Sequence, residues 1–171
     1  MIYAIGDLHL DYTKEKSMDV FGDNWDNYEE KIFHNLEKLD DEDIILIPGD
    51  ISWAMQLDDA FVDLKRIDKS PGRKILTRGN HDYWWSGISK LRKLELESIN
   101  FIQNDSLDLG DINKQPNALF NCLKNYNVTD LIYGHLHGYG HQNVVEGTID
   151  GIHVHCVSSD YIDFKVKKIR E

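Results

Sequence analysis

At 171 residues and 19.9 kDa the chain is the size of one domain, read here as spanning 1–171. Hydrophobic residues make up 41% and charged residues 29%, which excludes a disordered or collagen-like chain and leaves apolar material for a core. Nineteen Lys and Arg against 30 Asp and Glu give a formal charge of −11, which argues against a broad basic face for nucleic acid and against docking on an anionic membrane surface.

In chain order, Ile2-Tyr3-Ala4-Ile5 reads as a strand that runs into Gly6-Asp7-Leu8-His9. The charge at Asp7 comes too early for a secretory leader, and no apolar run reaches the roughly 18 residues of a membrane span, so a cytoplasmic protein is expected. Tyr28, Ile32, Leu36 and Leu39 recur at helical spacing. Ile44-Ile45-Leu46-Ile47 is a second strand leading to Pro48-Gly49-Asp50, and Met55, Ala60, Phe61, Leu64 and Ile67 predict the helix after it. Lys74-Ile75-Leu76-Thr77 is a third strand and leads to Arg78-Gly79-Asn80-His81-Asp82. Ile88, Leu91, Leu94 and Leu96 form a scattered helical pattern, Ser106-Leu107-Asp108-Leu109-Gly110 a strand, and Ala118, Leu119, Cys122, Leu123 and Tyr126 a further helix. Leu131-Ile132-Tyr133 then leads to Gly134-His135-Leu136-His137. Over 151–168 the alternation of Ile152, Val154 and Cys156 predicts strands or a hairpin. The two cysteines, Cys122 and Cys156, form no CxxC motif and read as small buried hydrophobes in a reducing compartment.

Continuous apolar runs of this kind read as strands buried on both faces, and their alternation with helices means an α/β sheet. Ligands gather at the C-terminal ends of such strands, so the four polar clusters should converge on one place. They pool Asp7, His9, Asp50, Asn80, His81, Asp82, His135 and His137, oxygen and nitrogen donors suited to Mn, Fe, Co, Ni or Zn. Asp7 and His9 are two apart, as are His135 and His137, and in extended chain each pair would point to one side and could grip a cation. Each cluster alone is an easy coincidence. All four in chain order, each after an apolar strand, are not.

These four blocks resemble the signature blocks of the calcineurin-like metallophosphoesterase superfamily. Pro48-Gly49-Asp50-Ile51-Ser52-Trp53-Ala54-Met55 and Asn80-His81-Asp82-Tyr83-Trp84-Trp85 are similar to a bacterial branch described as predicted phosphohydrolases, a similarity that extends to Val157-Ser158-Ser159-Asp160-Tyr161. The resemblance implies an α/β fold of two packed mixed sheets flanked by helices. It implies two divalent metals, with Mn the first choice. Asp7, His9 and His137 would hold one, Asn80 and His135 the second, and Asp50 would bridge them. Together they would clamp a phosphate and activate a water as hydroxide. His81 would face the substrate and protonate the leaving alkoxide, and Asp82 would orient His81 through its other ring nitrogen. Asn80, His81 and Arg78 are expected to meet the substrate, with a surface ion pair as the alternative for Arg78.

One departure stands out. The family's second metal normally takes one more His, yet no His occurs between Asp82 and Gly134. The five residues from Asp111 to Gln115 are also too few for the crossover of about a dozen that a parallel strand needs. A strand–helix–strand segment therefore reads as missing near Gly110/Asp111, either because the chain is shortened or because the sequence omits it. His34, His141, His153 and His155 are the spare imidazoles, of which His141 lies nearest the His135/His137 block. Trp53, Tyr83, Trp84 and Trp85 follow the metal-binding blocks, as core packing or as a wall for an aromatic leaving group.

The expected activity is hydrolysis of a phosphomonoester or phosphodiester by a dinuclear metal centre, on a small phosphoester or nucleotide. The acidic chain disfavours a polymeric substrate, though dinuclear sites also cleave nucleic acid. The rival is a non-catalytic metal- or phosphate-binding module with an incomplete second site. A purely structural domain would leave the polar clusters without a purpose.

Overall fold

The computed structural model describes residues 1–13, 16, 18–102 and 128–171. The strand read at Ser106-Leu107-Asp108-Leu109-Gly110, the helix through Ala118 and Tyr126, Cys122 and the segment read as missing near Gly110/Asp111 lie outside the described residues.

Strand β1 (Ile2–Ala4) is followed by short 3-10 turns at Asp19–Phe21 and Asp23–Trp25 and by helix α1 (Tyr28–Leu36). Acidic Glu29 and Glu30 sit in the first turn of α1, the end where their charge suits the helix dipole. Strand β2 (Ile44–Pro48) leads to helix α2 (Leu57–Lys69), which buries Leu57, Ala60, Leu64 and Ile67 at three- and four-residue spacing. Met55, expected on that face, precedes the helix and is exposed. Helix α2 stops at Ser70, in extended geometry before Pro71, where the proline ring disfavours a further helical residue. Strand β3 (Arg73–Thr77) follows. The scattered pattern after it resolves into a short helix α3 (Ile88–Leu91) and a 3-10 turn at Arg92–Leu94. Strand β4 (Ile99–Ile102), not foreseen above, alternates buried and exposed residues with only three apolar side chains. Beyond residue 127 come β5 (Asp130–Tyr133), β6 (Gly147–Ile149), β7 (Ile152–Cys156) and β8 (Lys167–Arg170).

The described strands form two mixed sheets. The first has the order β4-β3-β2-β1-β8, with β1 to β4 parallel and β8 antiparallel against β1. The second has the order β5-β7-β6, parallel then antiparallel. Its β6–β7 hairpin begins before the 151–168 stretch and turns at Asp150 and Gly151, both at positive φ (49° and 85°), the backbone a two-residue hairpin turn requires. One apolar cluster, including Ile45, Ile47, Leu64 and Leu76, packs the first sheet on its helices, while Leu131, Tyr133, Ile152, Val154 and Cys156 form a second. Burial in β2 and β3 alternates along the strand, so one face is packed harder than the other; the expectation of strands buried on both faces is met in full on one face alone. Cys156 is fully buried, as read. No helix among the described residues is long and apolar enough to cross a membrane.

Lys74 on β3 is fully buried. Its ammonium donates to the carbonyls of Ser70 and Gly72 and, at 2.9 Å, to Ser98 Oγ, tying the end of α2 to the approach to β4. Replacement by Met would leave those acceptors without a donor. Lys74→Met is expected to cost about 2–4 kcal/mol, read as a lower urea midpoint at unchanged slope.

The sheets meet where β1 ends. Gly6 N–H donates to Val157 O at 2.7 Å, beside a parallel bridge from Gly6 to Ser158, and Ser159 Oγ–H reaches the carbonyls of Gly6 and Asp7. This junction brings the loop after β1 beside the loop after β5.

Candidate metal centre

The ends of β1, β2, β3 and β5 deliver Asp7-Leu8-His9, Asp50, Asn80-His81-Asp82 and His135-Leu136-His137 to one side of the molecule. The convergence holds, but by a different local geometry from the extended chain expected. Asp7, His9, Asp50 and His135 all occupy the left-handed region, with φ of 53°, 46°, 50° and 77°. Non-glycine residues rarely sit there, at a cost on the order of 1 kcal/mol each, and such strain concentrates at functional sites. Backbone bonds hold the loops in place: Asp7 N–H to Gly49 O at 3.1 Å, His9 N–H to Asp50 O at 2.9 Å and Leu10 N–H to Ile51 O at 3.0 Å.

Two glycines make room for the carboxylates. A Cβ on Gly79 would lie 2.1 Å from Asp50 Oδ1, and one on Gly134 would lie 2.3 Å from Asp7 Oδ2. Those separations are far inside van der Waals contact, so only glycine fits at either place.

Asp7, His9 and His137 offer ligand atoms that all lie within 4.8 Å of one another. Nε2 of His9 and Nε2 of His137 are 3.3 Å apart. Nδ1 of His137 faces Asp160 Oδ1 at 2.8 Å, and an N–H donated there leaves the Nε2 lone pair turned toward His9. His9 Nδ1 is buried without a hydrogen-bond partner. Two imidazole nitrogens facing each other beside a carboxylate are mutually repulsive unless a proton or cation lies between them. The donor set therefore fits a divalent metal with mixed nitrogen and oxygen ligands.

The charges agree. Burial, with His137 and His81 nearby, holds the His9 imidazole well below its usual range, hence neutral and able to ligate. Burial works against the His137 imidazolium too, but the Asp160 hydrogen bond and the Asp7, Asp160 and Asp50 charges together raise it. Burial pushes the Asp7 carboxyl up to about 6, against His137 and the His135 N–H, which donates to Asp7 Oδ2 at 2.6 Å.

His81 lines the same cavity as His9, Asp50, His135 and His137. Its ring lies 4.7 Å from the Trp53 ring, which also stacks on His9 at 4.7 Å, and the His81 backbone N–H donates to Asp50 Oδ1 at 2.8 Å. The contact expected from Asp82 to His81 is not formed, and His81 Nδ1 has no hydrogen-bond partner. Asp82 instead accepts the N–H groups of Ile51, Ser52 and Gly79 and the indole N–H of Trp84. Its position between the β2 and β3 loops, not its place next to His81 in sequence, decides what it binds. Burial pushes its carboxyl up to about 6 despite those donors.

Asn80 and Arg78 are exposed and are not among the residues lining the cavity; His135 lines it but is also largely exposed. His34 is exposed on α1, and His155 and His153 lie on β7 against Asp130 and Thr148. His141 Nε2 stands 3.2 Å from Asp160 Oδ2, and His141 is not part of the Asp7, His9 and His137 group. Trp84 and Trp85 are core, while Trp53 lines the cavity and Tyr83 is exposed. Asp160 was not anticipated as a site residue. It lies 23 residues after His137, and the tail that contains it carried no more than a resemblance.

A family model described as calcineurin-like phosphoesterase matches residues 1–120. No curated protein matches the chain. Among solved structures, a protein of unknown function from Aquifex aeolicus is similar at 22% identity and a TM-score of 0.56, covering 98% of this chain and 94% of that one. At that identity the likeness concerns the fold alone.

Proposed function

Since the chain belongs to the calcineurin-like phosphoesterase family, we propose that it hydrolyses a phosphomonoester or phosphodiester with divalent metals held at the strand-end cluster. The observation that carries this reading is the Asp7, His9 and His137 group, three ligand atoms within 4.8 Å of one another, of which His9 and His137 line a cavity. In this reading Asp7, His9 and His137 would hold one metal, Asn80 and His135 would take part in holding a second, and Asp50 would serve both. When bound, the metals supply Lewis-acid polarisation of the phosphoryl group and a water acidified enough to serve as nucleophile. His81 gives an imidazole N–H proton to the leaving oxygen as the bond from phosphorus to that oxygen breaks, and regains a proton from solvent. Trp53, packed against both His9 and His81, keeps water from one side of the two rings. Mn is the first metal to supply.

Asp50→Asn tests the reading. Mn-dependent hydrolysis of an aryl phosphodiester and monoester should fall at least about 100-fold, a loss of about 2.7 kcal/mol of transition-state stabilisation. His81→Asn should lower turnover while leaving bound Mn largely intact. A second reading, a metal-binding module without catalysis, is favoured by a specific observation: Asp7, His9 and His137 form one such group among the described residues, and Asn80 and His135 are exposed. It predicts one tightly held metal, no turnover and no cost from His81→Asn.

A further inference from the structure

The cavity lined by His9 and His137 measures about 290 Å³, just below the usual range for ligand pockets. Its lining divides by chemistry. Imidazoles and the Asp50 carboxylate make the polar part, and Phe21, Leu136 and Gly140 make an apolar wall. The Phe21 ring is 42% exposed and packs beside the His137 ring at 5.6 Å, so an unburied aromatic surface adjoins a metal donor. Gly140 leaves open space in that wall. A Cβ there would meet nothing closer than Leu136, at 3.6 Å and 3.7 Å, and its φ is not in the left-handed region.

Charge narrows the ligand further. Among the described residues lining the cavity there is no Lys or Arg. Lys16 holds its ammonium 4.6 Å over the Trp53 ring and is not among the lining residues. A polyphosphate or polynucleotide would bring additional anionic groups against a chain of charge −11 with no lining cation to receive them. A ligand with one phosphoryl group avoids that cost, and the remaining volume suits one ring. A ring beside Phe21 gains an aromatic pair contact in addition to its buried area.

Resting on the phosphoesterase reading, we infer that the substrate is a small ester with a single phosphoryl group whose organic part is a flat aromatic ring seated against Phe21, Leu136 and Gly140. Phe21 and Gly140 are then the residues that set specificity, by offering a ring surface and by withholding a side chain.

Phenylphosphonate and methylphosphonate separate ring from phosphoryl, since each carries one phosphoryl group and neither is hydrolysed. Calorimetric titration into the Mn-loaded protein should show phenylphosphonate binding at least about tenfold tighter, equivalent to about 1.4 kcal/mol. Phe21→Ala removes the ring surface and should reduce that ratio to about threefold or less. Gly140→Leu fills the open space in the apolar wall and should do the same. Equal affinities in the unmodified protein, or a preference that survives both variants, would overturn the inference. If Mn binds but neither phosphonate does, the phosphoesterase reading fails together with the inference. A protein that hydrolyses aryl phosphoesters in an Asp50-dependent way, yet binds both phosphonates equally, loses the inference alone.

Discussion

Asp82→Ala should destabilise the metal-free protein by about 3–5 kcal/mol, one of the largest losses expected from any single substitution in the molecule. Asp82 is fully buried. One oxygen accepts Ile51 N–H at 2.8 Å, Ser52 N–H at 3.2 Å and the Trp84 indole N–H at 3.1 Å, and the other accepts Gly79 N–H at 2.8 Å. Truncation removes the acceptor from all four donors at once. Each buried donor left unsatisfied costs about 1–3 kcal/mol, and the losses add only in part because the loops relax. Asp82→Asn should recover little, since an amide nitrogen would face a donor on one side. His81→Asn makes the comparison, because His81 Nδ1 has no partner to lose, and its stability should remain within about 1 kcal/mol of the unmodified protein. Urea unfolding of the three variants decides it. An Asp82→Ala protein as stable as its parent, altered only in the pH dependence of turnover, would mean that Asp82 acts through His81 after all.

Why the residue was misread is physical. A carboxylate next to an imidazole in sequence suggests a pair, but adjacent side chains in a tight loop point apart, and the vacant N–H groups of two strand ends make the stronger claim on a buried oxygen. The convergence of Asp7, His9, Asp50 and His137 was legible because each follows an apolar strand and an open parallel sheet gathers strand ends on one side. The left-handed backbone at Asp7, His9, Asp50 and His135 was not legible, since nothing in an Asp or His discloses a positive φ. What local sequence did disclose was its counterpart: Gly79 and Gly134 stand where any side chain would strike a carboxylate. Strand β4 escaped because three apolar residues in four form too short a pattern to separate from a turn.

Asp160→Asn is the second large effect, read in metal affinity rather than stability. The Asp160 carboxylate takes His137 Nδ1 at 2.8 Å and Gly138 N–H at 3.1 Å, which holds the ring so that Nε2 faces the Asp7 and His9 donors. Partners of this kind are typically worth 10- to 100-fold in metal affinity, and Mn titration of the variant should show a loss in that range. The pH dependence separates positioning from general damage. Although burial opposes both charges, the His137 hydrogen bond and charge, with the Gly138 N–H and His141, hold the Asp160 carboxyl below its ordinary value, and the Asp160 bond with the Asp7, Asp160 and Asp50 charges raises the His137 imidazolium above its own. In the metal-free protein the stability that charged His137 contributes is therefore complete below pH 6.5 and is lost as pH rises through the elevated value. Below that value proton and metal compete for Nε2, and Mn affinity falls by up to about tenfold per pH unit. Without the Asp160 charge the competition begins at lower pH. The deficit of Asp160→Asn should accordingly be widest above neutrality and narrow in acid. A deficit constant across pH would reduce Asp160 to a packing role, and no deficit at any pH would remove it from the metal centre.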